Sequence, residues 1–435
     1  MASTAATSTR PRPAKAAPDW WRRPGLDAVG GRLFIAGRDA EALARAGGTP
    51  RFAYDLERVR ENALAMHAAA RRAGLDHRLR FALKANREPE VLAALRGLGR
   101  AGGSDCVGID ACSPGEVELA LGAGWAATEI SYTGTNCSER DLDVILAAGV
   151  HINLDAVSQV ERVGRRAPGS TIGLRVNPMI GAGYHDGLAY AGSRPTKLGI
   201  TADRLEDALA AVRRHDLAVD TLHFHAGSGW LADGLASFEG ALAAVVALAG
   251  RLHEAGHRLT EVNVGGGIGR VARQSEVAVD LAAYMAVVAR HLGPLGVAVG
   301  FEPGDLLVKD AAVLLAEVVT VEDRADVRFV GLDVGWNVFC SRFIYRFAQE
   351  VVLCRAADAP RTDAVTVAGH INEAGDVFVE DYLLPPVREG DILALLNAGG
   401  YEQAMSMTHC LRPLAAADFL ERTPPTGSAP EERSD

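Results

Sequence analysis

Four short stretches carry residue types that do chemistry. FALKAN (Phe81–Asn86) sets one lysine, Lys84, in an otherwise apolar, strand-like run. An unpaired ammonium in an apolar interior is costly, so the side chain either snorkels to water or gives up its charge; a neutral, partly desolvated amine is a nucleophile toward aldehydes. GGGIG (Gly265–Gly269) follows another apolar run. Gly265, Gly266 and Gly267 let backbone N–H groups approach an anion such as a phosphate, or serve a tight turn. HFHAGSG (His223–Gly229) places His223 and His225 two residues apart at a strand end. The pair could join a zinc site if a third ligand were near, or stack one flat imidazole on a planar ring. FEPGD (Phe301–Asp305) ends a strand in Glu302, Gly304 and Asp305. A carboxylate facing a pyridine nitrogen keeps that nitrogen protonated, so the ring accepts electrons.

Amine, anion-binding glycines, imidazole and carboxylate together describe a pyridoxal 5′-phosphate site. The glycine run does not satisfy GxGxxG, because Arg270 stands where the last glycine belongs, which disfavours a dinucleotide fold.

Groups so far apart in sequence need a scaffold that delivers them to one place. Strand-like runs near 80, 107, 129, 151, 171, 221, 261 and 297 alternate with helix-like stretches at 114–122, 138–148, 202–215, 234–255 and 281–292. Eight such units suit a TIM (β/α)8 barrel, which takes roughly 250 residues, although an open doubly wound sheet alternates similarly. The strand ends favour the barrel. They carry Lys84, Asp110, Arg175, His225, Ser228 and Glu302, and a barrel's active face is built from the C-terminal ends of its strands. Beyond about residue 306, short strands joined by Gly/Asp turns indicate a C-terminal β domain. The expected division is a tail (1–25), a lead-in partly added to the β domain (26–53, including GRLFIAG), the barrel (54–305), the β domain (306–420) and a second tail (421–435).

In this order, from about Tyr54 to Pro413, the motifs resemble those of the fold-type III pyridoxal-phosphate decarboxylases, the diaminopimelate/ornithine decarboxylase family. The resemblance implies an alanine racemase-like barrel with a C-terminal β-sandwich or barrel domain, and decarboxylation of a small amino acid. It makes Lys84 the residue that condenses with the cofactor aldehyde, His225 the ring stacker and Glu302 the partner of the ring nitrogen. Ser228 with Gly265, Gly266 and Gly267 would bind the phosphate, which Tyr401 of NAGGY would reach from a partner subunit or the β domain. Gly304 of EPG, Asp110 of GIDACSPGE and Arg175 of LRVNP match positions near the cofactor. A homodimer with active sites at its interface is part of the same expectation.

The departures fall where substrate is expected. Diaminopimelate decarboxylases resemble EPGR, with an arginine that grips a substrate carboxylate; this chain has Asp305. Their IRPALY segment is similar to SRFIY here, which puts Ser341 in register, shifts Arg342 by one and keeps Tyr345. GPxCESGD becomes GHINEAGD: Glu373 stays available for a distal amine, but Asn372 replaces the cysteine associated with product protonation. An amide is no proton donor at neutral pH, which leaves His370, His409 or water. The lost arginines point to an unusual or conjugated amino acid of a secondary-metabolite or siderophore pathway, including a carrier-protein-linked one. Diaminopimelate itself is the alternative, and a silent homologue that acts by binding is the third reading.

Composition narrows the partners. The 435 residues carry a net charge of −10, which disfavours nucleic acid and anionic membranes. Cysteines 106, 112, 137, 340, 354 and 410 form no CxxC pair and read as reduced thiols of a cytoplasmic protein with no metal site. No uninterrupted apolar run reaches the roughly 18 residues of a membrane span. The first eighteen residues, basic and rich in Ala, Ser, Thr and Pro, lack the apolar core of a secretory signal.

Overall fold

The computed structural model describes residues 18–100, 106–189 and 196–422. The expected tails lie largely outside these residues, but their inner ends are built into the protein. Trp21 is 1% exposed, and Arg422 pairs with Asp55 and Glu61.

Strands β1 (Leu26–Val29), β2 (Arg32–Ile35) and β3 (Arg38–Asp39) form a small antiparallel sheet. GRLFIAG therefore pairs within this sheet and does not extend the larger β domain. The segment that does is β4 (Arg51–Asp55), which pairs with two strands from the far end of the chain.

The barrel follows. Its strands are β5 (His77–Ala82), β6 (Val107–Ala111), β7 (Ile130–Tyr132), β8 (His151–Leu154) and β9 (Thr171–Asn177), where β10 (Ile200–Thr201) adds at the side, then β11 (Ala218–His223), β12 (Glu261–Asn263) and β13 (Ala298–Phe301). Every neighbouring pair is parallel, β8 joins β9, and β13 returns to β5, so eight strands close. All eight expected strands are present. Helices connect them with ordinary caps: Ser113 accepts from Glu116 N–H ahead of Pro114–Gly122, and Ser138 with Asp141 forms a capping box ahead of Glu139–Ala148.

Part of the barrel interior is polar, and glycines make room for it. A Cβ at Gly173 would lie 2.0 Å from Asn153 Oδ1, and one at Gly300 would lie 2.3 Å from Glu261 Oε1. Glu261 accepts from Arg80 at 2.6 and 3.0 Å, which pairs two charges that could not be buried singly. The stretch Ala232–Glu254 is long and apolar enough to cross a membrane, a correction to the sequence count. In this fold the face of helix Leu235–Glu254 carrying Phe238, Leu242, Val245 and Leu252 is buried.

The C-terminal sheet contains β14 (Ala312–Arg324), β15 (Val327–Leu332), β16 (Val351–Leu353), β17 (Asp363–Ala368), β18 (Val377–Leu384) and β19 (Ile392–Leu395), with β20 (Ala416–Leu420) on β4. Side chains alternate along a strand, and β14 uses both faces. Leu314 and Ala316 join the large core, whereas Val313 and Leu315 pack with Trp21 and Leu33 of the N-terminal segment.

Candidate functional site

The strand ends open on a cavity of about 370 Å³ lined by Lys84, Asp110, Arg175, His225, Ser228, Gly266, Gly267, Glu302, Gly304, Asp305, Tyr345 and Tyr401. Lys84 is not in a strand: β5 stops at Ala82, and Leu83–Ala85 form a 3-10 turn that aims the lysine out of the barrel. Asn86 anchors the turn by donating to Gly399 O at 2.9 Å, and Tyr401 N–H donates to Ala85 O at 2.7 Å.

The Lys84 ammonium lies 3.7 Å from Asp110 Oδ2. The lysine side chain is 48% exposed, open to the cavity. Desolvation would favour the neutral amine expected from sequence, but Asp110, then Tyr401, Cys112 and Glu302, outweigh it and hold the lysine above its usual 10.5. Asp110 is itself pushed up to about 7, first by burial and then by Glu302, against the pull of Lys84.

Glu302 is the best-held group of the site. His223 Nε2 lies 2.9 Å from Oε2, and Asn263 donates to Oε1 at 2.7 Å. Burial would raise this acid, but His223, Arg80 and Asn263 keep it down to about 2. Burial also holds His223 below its usual 6.5. With the carboxylate ionised, His223 Nε2–H is the donor of their hydrogen bond, and this bond takes it out of any zinc site. Among the described residues no cluster of three or more potential metal ligands occurs.

His225 sits between two loops: its Nδ1 accepts from Gly266 N–H at 3.3 Å, and its Nε2 lies 3.3 Å from Ser228 Oγ. Burial, then Arg175 and Lys84, keeps it neutral. The glycines are required by space. A Cβ at Gly266 would lie 2.1 Å from Glu302 O, at Gly267 (φ +103°) 1.9 Å from Gly227 O, and at Gly304 2.9 Å from the Tyr401 hydroxyl. Gly265 does not line the cavity but makes the turn, at φ +67°, with its N–H on Asn263 Oδ1. A backbone-lined hollow, a carboxylate fixed by two donors, a flat neutral imidazole and an amine fit pyridoxal phosphate.

Asp305 accepts from the Tyr184 hydroxyl at 2.7 Å and lies 3.6 Å from Lys309 Nζ. Ser341, in register with the family's arginine, bonds to buried Glu402 through both its N–H and its hydroxyl. Three sequence assignments do not reach the cavity of their own chain. Arg342 donates to Phe378 O, Asn372 is exposed, and Glu373 pairs with His409 at 3.2 Å while 53% exposed. Asn372 and Glu373 belong to the loop between β17 and β18, none of whose residues lines this cavity, and Arg342 sits on the short helix Ser341–Ile344. Nor is His370 a ready acid, since burial and then Arg412 push it down to about 4.

Sequence reasoning missed the role of His223, although its motif was in view, and missed Cys112, Tyr184 and Lys197, which also line the cavity. Tyr184 and Lys197 come from the long connection after β9, where nothing in the sequence marks them.

A family profile described as the pyridoxal binding domain of pyridoxal-dependent decarboxylases matches residues 56–309. The diaminopimelate decarboxylase of Methanothermobacter thermautotrophicus is 34% identical over 396 residues, covering 89% of this chain and 90% of that protein. That of Escherichia coli K12 is 32% identical over 391 residues, covering 84% and 87%. Among solved structures, diaminopimelate decarboxylase from Helicobacter pylori complexed with L-lysine superposes with a TM-score of 0.79 at 25% identity, over 88% of this chain and 94% of that one.

Proposed function

The chain belongs to the pyridoxal-dependent decarboxylases, and from that premise we propose that it removes one of the two α-carboxylates of diaminopimelate as carbon dioxide. The observation that carries this substrate is the end-to-end likeness to diaminopimelate decarboxylases, 34% over 89% of the chain. Nothing in the named relatives supports the secondary-metabolite, siderophore or carrier-protein expectations.

Bound pyridoxal phosphate supplies an aldehyde for the substrate amine and a ring that takes up the electrons left when carbon dioxide departs. The protein's own groups divide the remaining work. Lys84 is the amine that carries the cofactor, and Asp110 beside it keeps a counter-charge at hand. Glu302, held ionised by His223 and Asn263, would keep a proton on the ring nitrogen. His225 would cover a ring face, while Ser228, Gly266, Gly267 and Tyr401 would hold the phosphate. Arg175 and Tyr345 line the same cavity, Arg175 on the cofactor's side of it and Tyr345 on the substrate's in this reading.

A second substrate reading rests on one specific observation. Asp305 lines the cavity where the family resemblance places an arginine, and a carboxylate there suits an amino acid whose far end is an amine or a neutral donor. A homodimer is also proposed, in which the exposed residues Asn372 and Glu373 face the cavity of a second copy. The test is carbon dioxide release by cofactor-loaded protein from meso-diaminopimelate and from a panel of other amino acids. Turnover of diaminopimelate above all others supports the first reading, and rejection of it in favour of ornithine- or lysine-like amines supports the second. Sedimentation of the loaded protein as a monomer at assay concentration would exclude the shared site.

A further inference from the structure

A second cavity, of about 340 Å³, lies behind the glycine loop, and Ile268 lines both it and the active-site cavity. Its walls come from Trp20 and Trp21, Arg58, Arg270 and the turn carrying Asp310. Three guanidinium groups converge on this one acid. Arg58 donates to Asp310 Oδ2 at 2.7 and 3.2 Å, Arg270 Nη1 lies 3.4 Å from the same oxygen, and Arg23 donates to the Asp310 carbonyl at 2.5 Å. The other acid of the wall, Glu61, is shared with Arg422, which also holds Asp55. The wall itself carries Arg22, Arg23, Arg58 and Arg270 against Glu61 and Asp310; with the outside partners Asp27, Asp55 and Arg422 included, five arginines meet four carboxylates, an excess of one positive charge.

The donors are in excess as well. Trp20 Nε1, Trp21 Nε1 and Arg270 Nε are buried N–H groups with no acceptor, and all three belong to residues lining this cavity. An unmade hydrogen bond from a buried donor costs roughly 1–3 kcal/mol, and these three lie in the wall of one cavity, where a small turn of each side chain would offer them to an acceptor-rich occupant. Water could satisfy single donors, but it leaves the charge uncompensated. Burial, with Arg58 and Arg270 acting against Asp310, pushes Arg23 down to about 10, which agrees with crowded cations.

We propose that this cavity binds a small oxyanion, a phosphate ester or a polycarboxylate, whose oxygens accept from Arg270 and the two indoles. Its occupancy is felt at the cofactor cradle. Arg270 stands three residues after Gly267 and donates to Leu306 O, so it ties the glycine loop to the segment that follows Glu302. The proposal does not depend on which amino acid is decarboxylated.

The test is calorimetric titration of pyridoxal-phosphate-loaded protein with citrate and, separately, inorganic phosphate, with ionic strength held constant by sodium chloride. One saturable site per chain is expected for at least one of them, and the tighter of the two assigns the carboxylate or the phosphate class. Arg270→Gln, with its cofactor absorbance intact, should bind about tenfold more weakly or worse, the effect of removing a charged hydrogen bond. Trp20→Phe keeps an aromatic ring, though a smaller one, and removes the N–H donor, so it covers the case in which Arg270→Gln fails to fold. Binding no stronger than that of chloride, equal affinity in a folded variant, or displacement of the anion by amino-acid substrate would each overturn the proposal.

Discussion

Replacing Asp110 with asparagine should stabilise the cofactor-free protein while abolishing its activity. Asp110 is 5% exposed, and its pKa stands at about 7 against the usual 3.8. The folded protein therefore keeps a proton that the unfolded chain has already lost between those values. Ionising the group in the fold costs stability; this cost is absent below the unfolded value, grows as pH rises, and is complete above the folded one. At about 1.4 kcal/mol per pH unit the rise amounts to at most ~4 kcal/mol. Coupling to Glu302 brings the expected gain in Asp110→Asn to about 1–3 kcal/mol at pH 8. Denaturant unfolding of cofactor-free wild type and variant at pH 4.5 and pH 8 measures it. The variant should be the more stable at pH 8, and its advantage should shrink toward pH 4.5. A pH-independent gap, or a variant weaker at pH 8, would refute the reasoning. A site group that strains the fold it serves fits the usual trade between activity and stability.

Three other outcomes follow from the geometry. Glu261→Gln leaves buried Arg80 without its carboxylate and should cost about 3–5 kcal/mol in denaturant unfolding; a loss under 1 kcal/mol would mean that Arg78 or water replaces it. Gly267→Ala forces a Cβ to 1.9 Å from Gly227 O at φ +103°. It should strain the loop by about 1–3 kcal/mol and weaken cofactor binding, measurable by absorbance titration and contradicted by an unchanged titration curve. Desolvation, first, pushes the thiol of Cys112, which is open to the cavity, up to about 12, so its iodoacetamide labelling should be slow at pH 8 and quicken as the pH rises. Peptide mass spectrometry that finds Cys112 labelled as fast at pH 8 as at higher pH would contradict this.

The barrel was readable because its strands are short β-branched runs, each bounded by the polar or glycine residues that the active face uses. VGIDA and TIGLRVN carry both signals in a few residues. The position of β4 was not readable, because RFAYD says nothing about pairing with strands about 260 and 365 residues later. Lys84 looked like a strand residue because FALKA is uniformly apolar around it; the 3-10 turn that ends the strand depends on Asn86 and Tyr401, which meet only in the fold. Asn372 and Glu373 were placed by motif order alone, and chain order does not say whether a loop faces its own barrel. The pairing of Lys84 with Asp110 was unreadable for a similar reason, since the sequence does not give the distance between them.

The most direct measurement is borohydride reduction of the cofactor-loaded protein followed by peptide mass mapping. The pyridoxyl group should appear on the peptide containing Lys84, and only there, and the Lys84→Ala protein should carry none. Labelling of another lysine, or no labelling of the wild type, would contradict the assignment on which the proposed site depends.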